Sequence, residues 1–249
     1  MKVVLENVNT NHQGFQRLAE LAQAIDPEAD SSYDVDMSGV TWLAANMCAP
    51  LGGILHLRRT QGVSIRVSNL AAALEAILRK NRFLSEFGWE AAPDLYETTI
   101  AYRRFDANPA GASGFQGYVT KYFRPGSRGL PEMTTGLLRA FRGSLFELFE
   151  NAVEHSGTEA GVFACGQFFP NNKQLDFSVA DVGIGIRENI RRALGEVFTA
   201  EGAIEWAMAG NTTRRGPRPG GLGLRLIQEL VGDNGGRLIM VSDSGCGLK

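Results

Sequence analysis

The sequence predicts an α/β protein of two domains, and three observations predict it. Strand-like and helix-like segments alternate through the first hundred residues, the order that builds a sheet of parallel strands flanked by helices. A composition shift follows at residues 106–114, "DANPAGASG", whose Gly, Pro, Ala and Asn suit a linker or an exposed turn. Beyond it the pattern turns helical and then returns to strands. At 249 residues the chain is long enough for one large domain or two small ones.

Taken in order, "KVVLENV" reads as a strand, and "FQRLAELAQAI" as a helix with Phe15, Leu18, Leu21 and Ile25 at helical spacing. "YDVDMSGV" is a second, short strand ending in a turn. "ANMCAPLGGILHLRRTQG" is a helix closed by Gly62, and "VSIRVSN" a third strand. "LAAALEAILRKNRFLSEFG" reads as one strong helix, apolar at Leu70, Leu74, Ile77 and Leu78, with Gly88 as its stop. "ETTIAYRRF" adds a last strand to this first domain. Residues 115–156 are mainly helical, broken at "RPGSRGLPE". Strand "GVFACGQFF", turn "PNNK" and strand "QLDFSVAD" follow, then a long Gly- and Arg-rich segment, a helix from Leu222 and a strand "GRLIMVS". The expected domains are residues 1–105 and 131–249, joined through a linker and connecting helix at 106–130.

Composition excludes several classes. A formal net charge of −2 leaves no electrostatic footprint for nucleic acid or a membrane surface. The N-terminus has no apolar signal core, and no run approaches the roughly 18 apolar residues of a spanning helix. Cys48, Cys165 and Cys246 are odd in number and lack metal-ligand spacing, so they read as reduced, mostly buried thiols of a cytoplasmic protein.

Three stretches carry chemistry. On the helix that runs through "LFELFENAVEHSG", Phe141, just before it, Leu145, Leu148 and Ala152 share one helical face, and Glu147, Asn151 and Glu154 another. No Lys or Arg lies between Gly143 and His155 to offset the acidic run, so a metal ion, a protein partner or plain solvent completes that face. Glu147 and Asn151, a turn apart, are hard oxygen donors suited to Mg²⁺, and Glu147 is also suited to orienting or deprotonating a water. In "LDFSVADVGIGI", Leu175, Phe177 and Val179 alternate with Asp176, Ser178 and Ala180, the pattern of a half-buried strand ending at Asp181. An aspartate there can accept from an exocyclic amine, and Gly183 and Gly185 let backbone approach a flat ring; an ordinary turn has the same composition. In "RPGGLGLRLIQELV", Gly220, Gly221 and Gly223 open a helix whose N-terminal N–H groups suit phosphate; close packing also accounts for such glycines.

Other phosphate motifs are excluded. No Gly-Lys pair exists for a P-loop, neither glycine pair has the third glycine of the dinucleotide fingerprint, and His-Arg-Asp and Asp-Phe-Gly are missing.

In this order and spacing the three stretches resemble the GHKL superfamily of gyrase, Hsp90, MutL, histidine kinases and bacterial anti-sigma kinases. "ELFENAVEH" resembles its N box, "DVGIGI" its first glycine box and "GGLGL" its second. The resemblance implies a GHKL (Bergerat) α/β sandwich of a mixed sheet and helices that binds ATP with Mg²⁺. It implies Asn151 as Mg²⁺ ligand, Glu147 as water-activating base and His155 beside the phosphates. Asp181 would bind the adenine amine, with Gly183 and Gly185 lining its pocket. Gly221, Gly223 and Leu224 would face the phosphates, and Thr212 would contact nucleotide from residues 187–219, which resemble the mobile ATP lid. The chain ends at "GRLIMVSDSGCGLK", where the family continues into a further strand, so a missing last strand or a shortened chain is expected. No histidine-kinase phosphoacceptor segment is present, since neither His12 nor His56 has an adjacent Asp or Glu.

The first domain resembles STAS domains on "DVDMSGVTWLAANMCAPLGGIL". Where antagonists of that family carry a phosphorylatable serine, this chain has Leu43, Ala44, Ala45 and Asn46, which suits docking better than phosphorylation. The expected protein is a cytoplasmic ATP-binding signalling protein that hydrolyses ATP or passes its γ-phosphoryl group to a partner. The alternatives are a switch in which ATP occupancy controls protein binding, or an interaction module without nucleotide. The partner is left open, as is the oligomeric state, with a homodimer common among relatives.

Overall fold

The computed structural model describes residues 1–127, 132–213 and 222–248. By contact the chain forms two compact units that interleave in sequence, Met1–Arg104 with Ala160–Val182, and Phe105–Glu159 with Gly183–Lys249.

In the first unit, β1 (Lys2–Val8), β2 (Ser32–Leu43) and β3 (Ser64–Ser68) form a parallel sheet in that order. The connections carry α1 (His12–Ala24) and α2 (Cys48–Thr60), and α3 (Ala72–Lys80) follows β3. One face of β2 sends Tyr33, Val35 and Met37 into the core. On the other, Lys2, Asp34 and Arg66 stand in register across the three strands. Asp36 on that face is only 2% exposed. It is held by an ion pair with Lys2, the Ser38 amide at 2.8 Å and Asn69 Nδ2 at 3.0 Å, and these hold its carboxyl well below the usual range.

Three sequence expectations change here. β2 does not stop at a turn but runs on to Leu43 through register shifts against β1. Asn7 Oδ1 clasps that extension, accepting from the amides of Thr41 at 2.7 Å and Trp42 at 2.8 Å. The single helix expected up to Gly88 ends at Lys80 and resumes as a 3₁₀ turn, Phe83–Phe87. Buried Asn81 ends it: Oδ1 accepts from the Phe83 amide at 2.9 Å, its carbonyl accepts from the Tyr102 amide at 2.6 Å, and Arg82 takes a left-handed φ of 67°. The strand expected to complete the first sheet, β4 (Thr99–Phe105), instead joins β5 (Val162–Phe169) and β6 (Gln174–Asp181) in the order β4-β5-β6.

Helix α2 packs on β5 and β6, and its glycine pair explains how. A Cβ on Gly52 would lie 2.3 Å from Tyr102 Oη, and one on Gly53 would press on Phe163 and Val182. Phe163 and Cys165 are thereby buried in the same core as Leu51 and Leu55. All three cysteines are free, and burial pushes the Cys165 thiol well up, which keeps it unreactive.

The second unit is built on α5 (Thr135–His155), which packs against α4 (Pro109–Tyr122) and α8 (Leu222–Asp233). The expected linker is in fact the start of α4: Asn108 caps it by accepting from the Gly111 amide at 3.0 Å, and Pro109 takes the first turn. Phe115 of α4 stacks on Phe149 of α5 at 4.7 Å, with Phe105 edge-on to both. Between α5 and α8 come α6 (Gly185–Leu194) and α7 (Ala200–Met208). β7 (Ile239–Ser242) and β8 (Gly245–Leu248) form an antiparallel hairpin, a two-stranded sheet of their own. Among the described residues no helix is long and apolar enough to cross a membrane.

Candidate functional site

Helix α5 begins at Thr134, whose hydroxyl accepts from the Leu137 amide at 3.2 Å, and it buries Leu138, Leu145 and Phe149 along one stripe. Glu147 and Asn151 lie off that stripe and are half-buried. Among the described residues neither side chain has a hydrogen-bond or ion-pair partner. Glu154 Oε2 lies 4.0 Å from His155 Nε2.

The helix ends at Ser156, and there the first glycine turn is attached. The Ile184 amide donates to the Ser156 carbonyl at 2.8 Å. A Cβ on Gly183 would sit 2.1 Å from that same oxygen, so only glycine lets the turn lie so close to the end of α5. Gly185, with φ of 76°, is the first residue of α6. A Cβ there would lie 3.0 Å from Ser242 Oγ and 3.1 Å from Asp243 Oδ2. Ser242 Oγ accepts from the Ile186 amide at 2.8 Å, and Asp243 faces Arg187 at 3.8 Å. The tip of the β7–β8 hairpin therefore caps α6 from elsewhere in the chain. Both glycines are required first by the chain's own packing.

A second link joins α6 to α5. Asn189 Nδ2 donates to the His155 carbonyl at 2.8 Å, and the Thr213 hydroxyl donates to Asn189 Oδ1 at 2.6 Å and lies 3.4 Å from His155 Nδ1. The hydroxyl that reaches His155 thus belongs to Thr213, the neighbour of Thr212. Leu224 is buried on α8, whose second residue is Gly223. Gly220 and Gly221 lie outside the described residues, as do Arg214, Arg215 and Arg218 of the segment expected as a lid.

Within the second unit the structure thus brings together His155, Gly183 and Gly185, in register with Glu147 and Asn151 along α5. Asp181 is the exposed last residue of β6 in the first unit. The alternation expected in β6 is absent, since all its interior residues are half-buried. Ser178 and Ala180, expected to face solvent, are covered: Asn46 Nδ2 donates to Ser178 Oγ at 2.9 Å, and Ala180 packs on the core. The segment expected as a mobile lid contains α6 and α7 where described. On α6, Arg191 and Arg192 both pair with Glu188, and this holds its carboxyl at about 2.

A cavity of about 530 Å³ in this unit lies between α4 and α5, beside Arg139, Arg142 and Phe146, and is lined by none of Glu147, Asn151 and His155. No group of three or more His, Cys, Asp and Glu side chains among the described residues is placed to hold a metal. A carboxamide and a carboxylate without partners among the described residues fit an ion that keeps most of its shell from phosphate oxygens and water, as Mg²⁺ does.

The family model described as histidine kinase-, DNA gyrase B-, and HSP90-like ATPase matches residues 138–249, less than half of the chain and all three motifs. No curated protein and no solved structure matches. The C-terminal segment is thus similar to ATPases of the GHKL type over residues 138–249.

Proposed function

We propose that residues 131–249 bind Mg-ATP and act on its γ-phosphate, transferring it to water or to a partner's side chain, and that residues 1–105 form a STAS-like docking domain. The observation that carries this reading is the attachment of the Gly183 turn to the end of α5 through Ser156, which ties the first glycine box to the helix bearing Asn151. Asn151 would hold Mg²⁺ through its carboxamide oxygen. Glu147, a turn earlier, would orient a water and accept its proton. His155, Thr212, Gly221, Gly223 and Leu224 would border the phosphates, and Asp181 would accept from the adenine amine. Mg²⁺, when bound, offsets phosphate charge, so the residues contribute positioning and proton transfer rather than a covalent intermediate.

A second reading, in which nucleotide occupancy switches protein binding with little turnover, has its own support. The strand ending in Asp181 shares a core with residues 1–104, through Asn46–Ser178 and the packing of Ala180 and Val182. Calorimetry with ATP and Mg²⁺ on the wild type and on Asp181→Ala, together with turnover of Glu147→Ala, tests both. Binding by the wild type that is lost in Asp181→Ala is expected. Glu147→Ala should keep its affinity while turnover falls by about 10²–10⁴. Absence of wild-type binding overturns both readings, and negligible wild-type turnover with tight binding selects the switch.

A further inference from the structure

Asn189, a residue no motif includes, closes a ring of hydrogen bonds at the edge of the candidate site. Its two side-chain atoms have separate duties: Nδ2 only donates and Oδ1 only accepts. The His155 carbonyl can only accept, so the atom facing it at 2.8 Å must be Nδ2. Oδ1 then faces Thr213 at 2.6 Å and takes the single proton of that hydroxyl. What Thr213 still offers His155 Nδ1, at 3.4 Å, is a lone pair. Nδ1 must therefore carry hydrogen, and this is the longest link of the ring.

We infer that Asn189 is a positioning residue for the nucleotide site: acting through Thr213, it selects the Nδ1–H form of His155 and fixes the ring at the end of α5. Nε2 then carries the lone pair of the neutral ring, with Glu154 Oε2 at 4.0 Å. The same ring ties Thr213, at the edge of residues 214–221, to the helix that carries Glu147 and Asn151. The consequence for nucleotide rests on the reading proposed above; the choice of tautomer does not.

The test is a long-range ¹H–¹⁵N spectrum of the ¹⁵N-labelled full chain near pH 8, above the ordinary imidazole value of about 6.5, with His155 assigned by loss of its signals in His155→Gln. The wild type is expected to show a protonated Nδ1 and a lone-pair Nε2. In Asn189→Ala the Thr213 proton is released to Nδ1, and the tautomer should reverse to Nε2–H. Asn189→Asp keeps the acceptor and should keep Nδ1–H. Should Asn189→Ala fail to fold, Thr213→Val gives the same reading, because it removes the lone pair that holds the Nδ1 hydrogen. ATP affinity measured in parallel should fall by about fivefold in Asn189→Ala, the effect of one lost hydrogen bond. A wild-type Nε2–H form, or an unchanged tautomer in Asn189→Ala and Thr213→Val, overturns the inference. A tautomer that shifts as described in a chain that binds no ATP leaves the positioning role standing and removes the nucleotide reading alone.

Discussion

Gly183 and Gly143 are two glycines at which the same added methyl group should have opposite effects. At Gly183 the new Cβ would meet the Ser156 carbonyl, which is backbone and cannot swing away. Gly183→Ala is expected to cost about 1–3 kcal/mol by overpacking and to displace the turn from α5, weakening ATP binding as well. Gly143 lies inside α5, and nothing stands within 4 Å of the place its methyl group would take. Gly143→Ala should therefore gain about 0.5–1 kcal/mol from reduced unfolded-chain freedom. Urea unfolding of the two variants checks the pair of signs. Asp36 gives a residue-scale prediction with pH as its variable. Its partners hold its carboxyl below the ordinary value in the folded chain. That stability is therefore present above the unfolded aspartate value of about 3.9 and lost as pH falls through the folded one. The wild type should be more stable than Asp36→Asn at pH 7, and the gap should close as unfolding is repeated from about pH 5 downward. A gap independent of pH would show that the carboxylate charge is not what Lys2, Ser38 and Asn69 recognise.

At the scale of elements, α4 shows what composition hides. "DANPAGASG" looks like a linker when residues are counted, yet Asn108 followed by Pro109 is the pattern of a helix start. Asn108→Ala should cost about 1 kcal/mol and fray the first turn of α4, seen as lost amide protection at Gly111 and Ala112. Such local signals were legible wherever one residue's neighbours in sequence were also its partners in space. The alternation of strands and helices through β1, β2 and β3 and the long amphipathic α5 follow from periodicity. The stretch bearing Glu147 and Asn151 was readable for the same reason, being a short run on one helix, whereas "DVGIGI" runs from the end of β6 through a turn into α6. What periodicity missed was decided at a distance. The break after α3 depends on the Asn81 carbonyl meeting Tyr102, and the extension of β2 depends on Asn7 reaching Thr41 and Trp42. In the site, Ser242 caps α6 from 56 residues away, and Thr213 meets His155 across 58. No window of sequence contains those pairs, although "VSDSG" between two apolar runs is itself a recognisable turn.

At the scale of the whole molecule, each unit takes its core from stretches far apart in the chain. In the first, Phe163 of β5 is fully buried beside Tyr102, His56 and Gly53, so residues 1–104 cannot complete their core until 160–182 return to it. In the second, Phe149 stacks on Phe115 and meets Phe105 edge-on. Truncating either phenylalanine to alanine should cost about 3–5 kcal/mol, the range for an aromatic cavity that neighbours cannot fill. The two losses should map differently in amide exchange. Phe163→Ala is expected to lower protection together in α2, β4, β5 and β6, including the strand that ends at Asp181. Phe149→Ala is expected to lower it in α4, α5 and α8, the helices around Glu147 and Asn151. If Phe163→Ala left residues 1–104 fully protected while β5 and β6 opened, the shared core would be energetically unimportant. An N-terminal segment that feels the Asp181 strand only weakly could not report nucleotide occupancy, and the switch reading would lose its physical basis.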